Sequence, residues 1–194
     1  MPERSADHPI LPLILDRWSP RAFDPRPIDD ETLMSVFEAA RWAPSSMNYQ
    51  PWRFAYAKNG DSNWDAFLSA LMPMNQSWAR NASALIYVIS DTVLEVRGDR
   101  IASPSHSFDA GSAWMALALQ AHSMGLITHG MAGIDRDAAA KVIQLPEGFQ
   151  LEAAIALGYQ GDAQALPDAL REREVKSGRK PLSETVFNGP IPPV

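Results

Sequence analysis

Two arginines and a serine stand at alternate positions near the start of the chain, as Arg17, Ser19 and Arg21. Pro20 favours an extended backbone for the residue before it, and alternate residues of an extended segment face the same way. Two guanidinium groups and a hydroxyl on one side form a good receptor for a phosphate. The spacing also fits two solvated arginines beside a turn, so both interpretations stay open at this point.

A second polar stretch lies between a helical pattern and a strand pattern, at residues 43–54. It contains Pro44, Ser45, Ser46 and Asn48. Loops held between rigid elements often carry binding groups. The composition of this stretch therefore predicts a polar, backbone-rich cradle for a ligand.

Two glycines enclose a third candidate stretch, Gly130, Met131, Ala132 and Gly133, which follows a short apolar strand pattern. Glycine allows a ligand to approach the backbone closely, and successive backbone N–H groups can bind it. An ordinary strand-to-helix turn is the alternative interpretation.

Apolar periodicity places these three stretches in a succession of helices and strands. We expect helices at residues 12–17, from a cap at Asp29 or Asp30 to before Pro44, at 64–71, 108–124 and 135–143. We expect strands at 52–57, 84–90, 126–129 and 151–157, and a loop at 94–107. Helix 108–124 is apolar nearly all round, so it should be buried, and its small residues would let another helix approach across a dimer.

Composition narrows the function classes. The chain has 194 residues, 46% of them hydrophobic, and a formal net charge of -6. This predicts one globular domain over residues 1–194 and argues against nucleic acid as the main partner. The chain has no cysteine, which excludes disulfides, thiolate metal sites and cysteine nucleophiles. With no signal sequence and no long apolar run, we expect a cytoplasmic protein without a membrane segment.

The last part of the chain, residues 162–194, is charged and proline-rich. It carries a cationic cluster of Arg171, Arg173, Lys176, Arg179 and Lys180. A solvated tail is one interpretation. A C-terminal extension that lies across another surface is the other, because apolar residues follow the cluster.

Several motifs together resemble the nitroreductase-like family of flavoproteins. Arg17-Trp18-Ser19-Pro20-Arg21 resembles its N-terminal signature, and the stretch from Ala39 through Pro44 to Trp52 resembles its second signature. Asp109-Ala110-Gly111 is similar to the start of its central helix, and the stretches at 154–159 and 179–182 are similar to its C-terminal pair. The order of these motifs is the family's, and they cover nearly the whole chain.

The resemblance implies an α+β fold with a mixed, mainly antiparallel sheet flanked by helices. It also implies an intertwined homodimer, with the C-terminal extension wrapping on the partner and with two FMN sites at the subunit interface.

By resemblance, Arg17, Ser19 and Arg21 hold the FMN phosphate and ribityl end, Trp18 contributes mainly backbone, and Arg179 or Lys180 closes on the phosphate. The same resemblance assigns Pro44, Ser45, Ser46 and Asn48 to the FMN held by the other subunit. Gly130, Met131, Ala132 and Gly133 would present backbone N–H groups to the flavin.

The chain departs from the family pattern at two places. Ala132 stands where many members carry a glutamate, and the cation near the flavin pyrimidine is not obvious, with Asn75 and Arg53 as candidates.

The resemblance implies an FMN-dependent enzyme that passes electrons from NAD(P)H to a nitro compound, quinone or similar acceptor in ping-pong turnover. FMN carries the redox chemistry, so no protein acid, base or nucleophile is assigned. The alternatives are another flavin reaction of the family, such as dehalogenation, flavin cleavage or azoline oxidation, and a non-catalytic protein that stores FMN.

Overall fold

A computed structural model describes residues 4–192. Seven helices lie at Pro12–Asp16 (α1), Asp30–Arg41 (α2), Trp64–Ser69 (α3), Pro73–Ala79 (α4), His106–Ser123 (α5), Arg136–Val142 (α6) and Asp168–Arg171 (α7). Seven strands lie at Phe23–Asp24 (β1), Trp52–Lys58 (β2), Ala84–Asp91 (β3), Val93–Val96 (β4), Asp99–Ala102 (β5), Leu126–Met131 (β6) and Phe149–Gln160 (β7). Short 3₁₀ turns lie at Ser46–Asn48, Ala163–Ala165 and Leu182–Glu184.

The main sheet has five strands, and β7 is its centre. β3 pairs with one part of β7, from Ala84 opposite Leu157 to Asp91 opposite Phe149. β1 pairs with the last two residues of β7, β6 also pairs with β7, and β2 pairs with β3. All four pairings are antiparallel. The α+β architecture is therefore confirmed, while the parallel pairing of a mixed sheet is not found among the described strands.

Side chains from both faces of the sheet form the core. On β3, Ile86 and Val88 pack with one cluster that includes residues of α2 and α5. The alternate residues Leu85 and Tyr87 pack with a second cluster, which includes residues of α3, α4 and α6. The near-continuous apolar run of β3 thus follows from burial on both faces.

Local signals set several helix ends as expected. The Asp29 side chain accepts a hydrogen bond from the Thr32 N–H at 2.7 Å, so Asp29 is the cap of α2. Asp135 caps α6 in the same manner, through the Ala138 N–H. The predicted helix positions are confirmed, with ends that differ by one to a few residues.

The loop predicted at 94–107 is wrong. Residues 93–102 form a β-hairpin with Arg97 and Gly98 in its turn, both at positive φ, and α5 begins at His106. The sequence prediction also missed α4, which begins at Pro73.

Helix α5 is buried on one side only in the single chain. Ala110, Ala113 and Leu117 lie in the core, whereas Phe108 is 79% exposed and Met115 is 38% exposed on the opposite face. The expected burial of the whole helix is therefore wrong for the described chain.

The C-terminal region has two parts. Leu166, Leu170 and Glu174 are buried against their own chain. Residues 176–192 are exposed throughout.

Candidate functional site

Three side chains from distant parts of the sequence clamp the backbone of residues 17–22. Arg4 donates to the Arg17 carbonyl at 2.9 Å. The Nδ1–H of His129 donates to the Pro20 carbonyl at 3.0 Å, since a carbonyl only accepts. Glu174 Oε1 accepts from the N–H groups of Arg21 and Ala22, at 2.7 and 2.9 Å. Four hydrogen bonds from distant side chains therefore hold the backbone of this segment.

This segment lines a cavity of about 550 Å³, which also brings in residues of β6 and of the chain after α7. Arg17 and Ser19 face the same side, as predicted, because Arg17 Nη1 lies 3.4 Å from Ser19 Oγ. The lining residues are Arg4, Arg17, Trp18, Ser19, Arg21, His129, Glu172, Arg173, Val175, Ser177 and Arg179. Arg17, Ser19, Arg21 and Arg179 thus line a single cavity, and their binding of an FMN phosphate stays a prediction.

The cavity concentrates positive charge. Burial, followed by the charges of Arg179 and Arg4, lowers the pKa of Arg17 from its ordinary value. Burial and the charge of Arg173 lower the pKa of Arg21, against an opposing effect of Glu174. These arginines stay protonated near neutral pH, and their mutual repulsion would be relieved by a bound anion.

His129 adds a neutral donor at the same place. Burial is the main cause that lowers the pKa of His129 to about 4, with smaller contributions from the charges of Arg21 and Arg17. The ring is therefore neutral above pH 5, with its Nδ1–H fixed on Pro20.

The two cations proposed to close on the phosphate are placed differently. Arg179 lines the cavity, and its guanidinium also bonds to the carbonyl of Gly178 at 2.8 Å. Lys180 Nζ lies 3.8 Å from Glu184 Oε2, and the Lys180 side chain is exposed. Lys180 lines a neighbouring cavity of about 640 Å³, which shares Arg17 and Arg179 with the first.

The polar stretch at residues 44–50 forms a strained turn. Met47, Asn48 and Gln50 all have left-handed backbone angles, with φ of 50°, 58° and 52°. Such angles are uncommon for residues other than glycine, and they cluster at functional sites. The Gln50 N–H donates to Ser45 Oγ at 2.9 Å, which closes the turn.

A buried carboxylate anchors this turn to α5. Asp109 is 4% exposed, and its Oδ2 accepts from the Ser46 N–H at 3.1 Å and from the Ser105 hydroxyl at 3.0 Å. The Tyr49 hydroxyl donates to the Glu95 carbonyl at 2.7 Å, which ties the turn to the hairpin.

Strand β6 runs further than predicted, so Gly130 and Met131 belong to the strand and only Ala132 and Gly133 form the turn. At Gly130, a Cβ would lie 3.2 Å from the Trp114 ring. At Gly133, a Cβ would lie 2.6 Å from Asn75 Nδ2. Within residues 4–192, no atom accepts a hydrogen bond from the Gly133 N–H.

Both candidates for contact with the flavin pyrimidine have partners within the chain. Asn75 Nδ2 donates to the Gly133 carbonyl at 3.0 Å, so this side chain supports the turn itself. Arg53 Nη1 donates to the carbonyls of Gln50 and Trp52.

The predicted site residues do not share one cavity. Residues 130–133 do not line the cavity formed by Arg17, Ser19 and Arg21. No residue of 44–48 lines the cavity formed by Arg17, Ser19 and Arg21 either.

A further polar network, which the sequence interpretation missed, joins Ser90, His106 and Glu152 beside a third cavity of about 700 Å³. In the part of the chain that the structure describes, no group of His, Asp and Glu could hold a metal ion, and no helix is long and apolar enough to cross a membrane.

Comparison with known proteins identifies the family. The sequence model of the Nitroreductase family matches residues 14–159. This chain belongs to the nitroreductase family.

Solved structures share the nitroreductase fold over nearly the whole chain. One is described as an oxidoreductase containing FMN, with 47% sequence identity and a TM-score of 0.95, and it covers 97% of this chain and 96% of its own. Another is a Desulfovibrio desulfuricans protein, provisionally named a nitroreductase, in complex with FMN. It is 26% identical with a TM-score of 0.72, and the match covers 96% of this chain and 100% of that one.

A curated relative extends the comparison to nitroreductases with a named reductant. A protein of Archaeoglobus fulgidus with the provisional name NADH dehydrogenase/NAD(P)H nitroreductase is 28% identical over 156 residues. The match covers 78% of this chain and 86% of that protein.

The sequence prediction missed the residues that clamp the backbone of residues 17–22. Arg4, His129 and Glu174 reach it from up to 153 positions away. In the sequence, only the position of His129 next to the candidate stretch 130–133 pointed to this residue. That position did not indicate its contact with Pro20.

Proposed function

We propose that this nitroreductase-family protein is an FMN-dependent oxidoreductase that passes electrons from NAD(P)H to a small organic acceptor. The observation that carries the proposal is the cavity in which Arg17, Ser19 and Arg21 converge with Arg179. FMN among the structural relatives and NAD(P)H in the name of a curated relative support it.

The chemistry of the cavity fits the phosphate of FMN. Arg17 and Arg21 supply guanidinium donors, Ser19 supplies a hydroxyl, and Arg179 adds a further cation. Guanidinium groups bind phosphate through charge-assisted hydrogen bonds in a fixed planar geometry. These four residues would hold the phosphate end, with Trp18 lining the same cavity.

The ring end of FMN would meet backbone rather than charged side chains. The Gly133 N–H has no partner in the described chain, and any larger residue at position 133 would have to displace the Asn75 side chain. We assign Gly130, Met131, Ala132 and Gly133 to this end. Ala132 offers no carboxylate, so its side chain would not orient the reductant.

A homodimer would complete the site. Residues 44–48 lie outside the phosphate cavity, so we propose that Pro44, Ser45, Ser46 and Asn48 serve the FMN of the partner subunit. The exposed apolar face of α5, with Phe108 and Met115, is suited to pack against a second copy. Residues 176–192, which are exposed here, would wrap on that copy.

Bound FMN would supply the two-electron chemistry, taking hydride from reduced nicotinamide and releasing electrons to the acceptor in ping-pong turnover. The chain itself would bind and orient the cofactor. The neutral His129 and the arginine cluster hold no mobile proton at the ring end, so we assign no general acid or base.

Anaerobic reduction of the FMN-loaded protein tests this function. Addition of NADH or NADPH should bleach the flavin absorbance, and a nitro compound or quinone should restore it. Bound flavin that neither nucleotide reduces would favour FMN storage. Reduction without transfer to these acceptors would favour another flavin reaction.

The dimer has its own test. Light scattering after size-exclusion chromatography should give twice the mass of one chain. A Met115→Asp variant should shift the mass towards the monomer, because a carboxylate on the α5 face would have to be buried in the dimer. A monomeric wild-type protein that binds FMN tightly would contradict the shared site.

A further inference from the structure

Glu174 is the one buried carboxylate that contacts the phosphate-binding segment within residues 4–192. Its side chain is 2% exposed. Oε1 accepts from two successive backbone N–H groups, those of Arg21 and Ala22. The other oxygen, Oε2, is buried and has no hydrogen-bond partner in the described chain.

The unpartnered oxygen faces a cation of the cavity. Glu174 Oε2 lies 4.0 Å from Arg21 Nη1, which is beyond a hydrogen bond but close enough for strong attraction at a buried site. A buried carboxylate oxygen without a donor is costly, and such an atom calls for an explanation. Here it supplies negative charge next to arginines that otherwise repel one another.

From these contacts we infer that Glu174 is a positioning residue for the phosphate site, acting through Arg21. Its Oε1 fixes the backbone direction of Arg21, and its Oε2 offsets the charge of the cluster while no phosphate is bound. Glu174 thereby makes the N-terminal phosphate segment depend on the chain after α7. This inference rests on the proposed FMN function.

The two roles of the carboxylate make different predictions for three variants. Glu174→Gln keeps an oxygen that accepts from the N–H groups but removes the charge. Glu174→Asp keeps the charge but retracts the carboxylate from the backbone. Glu174→Ala removes both. Positioning requires that the Asp and Ala variants lose affinity and that the Gln variant keeps it.

The experiment compares FMN with riboflavin, which has the same ring and ribityl chain but no phosphate. Dissociation constants come from quenching of flavin fluorescence on titration of the flavin-free full-length protein. We expect Glu174→Ala and Glu174→Asp to weaken FMN binding about tenfold or more, because a charged hydrogen-bond acceptor is lost from the backbone of Arg21. Glu174→Gln should stay within about threefold of the wild type, and riboflavin binding should change by less than about twofold in all three.

Glu172 is the matched control for charge. It lines the same cavity, is exposed, and makes no hydrogen bond to segment 17–22 in the described chain. Glu172→Gln removes the same charge two residues away, so its effect on FMN binding measures charge without positioning.

Stability separates loss of fold from loss of positioning. If Glu174→Ala does not fold, Glu174→Asp takes its place in the comparison. Without FMN, Glu174→Gln should melt at a lower temperature than the wild type, because the arginines lose their internal counter-charge. FMN should raise the two melting temperatures by similar amounts, because the two affinities are similar.

Three outcomes would overturn the inference: unchanged FMN affinity in both Glu174→Ala and Glu174→Asp, equal losses for FMN and riboflavin, or a Glu174→Gln loss as large as that of Glu174→Ala. A wild-type protein that binds neither flavin would instead reject the proposed function. Wild-type preference for FMN over riboflavin keeps that function, whatever the variants do.

Discussion

We propose that the segment at residues 17–22 and the turn at residues 44–50 both bind FMN, but the two are held in opposite ways. The first is clamped at its backbone by Arg4, His129 and Glu174, each from another part of the chain. The second is closed by a hydrogen bond within the turn, from the Gln50 N–H to Ser45 Oγ. Three of the four residues 47–50 have left-handed backbone angles. Asp109 is the buried anchor of this turn.

This difference indicates which kind of change should disrupt each segment. The clamped segment has ordinary backbone angles and depends on tertiary contacts, so it should fail when a distant partner changes charge or is removed. The turn carries conformational strain, which persists only where the surroundings over-determine it. It should respond to changes in backbone freedom.

Acid should produce the largest effect, because it places a charge on the buried ring of His129, which holds the clamped segment. The pKa of His129 is lowered to about 4 in the folded protein, from an ordinary 6.5. A group with a lowered folded pKa contributes stability that is complete above pH 6.5 and is lost as pH falls towards 4. The shift corresponds to about 3 kcal/mol of unfolding free energy.

Urea unfolding between pH 4 and 8 measures this effect. The wild type should lose stability steeply below pH 6.5, and His129→Gln should lose much less, because its amide can donate to Pro20 without titrating. The other histidines are common to both proteins, so the difference isolates His129. Equal slopes for the two proteins would show that titration of His129 does not cause the loss.

Arg17→Ala should be the next largest change. A charge-assisted hydrogen bond to phosphate would be lost, which weakens FMN binding by about 1.5–3 kcal/mol. Riboflavin binding should stay the same, since it has no phosphate. Arg171→Ala is the control, because Arg171 pairs with Asp168 outside the cavity. An equal loss for both variants would point to general charge rather than contact.

Asp109→Ala should release the strained turn from α5. The Ser46 N–H and the Ser105 hydroxyl lose their acceptor, at a cost of about 1–3 kcal/mol in unfolding free energy. Asp109→Asn keeps an acceptor oxygen and should cost less. The urea midpoints of the two variants check this, and a smaller loss in the alanine variant would show that Asp109 does not anchor the turn.

Local patterns in the sequence were sufficient for much of the fold. The apolar run of β3 and the Asp29 cap of α2 act within a few residues, so the sequence shows them directly. The β4–β5 hairpin could not be recognised in this way. Its strands are short and largely exposed, and its turn places Arg97 at a φ of 54°, a position that glycine or asparagine usually marks.

The placement of Arg17, Ser19 and Arg21 at one cavity was predictable from side-chain type and spacing, while their contact with FMN stays a prediction. The contacts that position these three residues were not predictable. Glu174 and Ala22 are 152 residues apart, and nothing in the sequence links them before the chain folds. The left-handed Met47 was equally hidden, since methionine has no preference for that conformation.

Met47→Gly should produce the smallest effect, with the opposite sign. Met47 is 76% exposed and has a φ of 50°, so its side chain contributes little packing while its Cβ disfavours the backbone. Glycine relieves about 1–2 kcal/mol of strain but gains freedom in the unfolded chain, so we expect a net gain of about 0.5–1 kcal/mol in unfolding free energy.

Met34→Gly is the matched control for Met47→Gly, because Met34 is an exposed methionine within helix α2, and glycine there should cost about 1 kcal/mol. Opposite shifts of the two urea midpoints would separate strain at position 47 from side-chain loss. Shifts of the same sign would contradict strain at position 47.

FMN affinity then tests whether this strain contributes to cofactor binding. If Met47→Gly is more stable but binds FMN more weakly, the left-handed turn serves to preorganise the site. A more stable variant with unchanged affinity would make the strain a consequence of the fold alone.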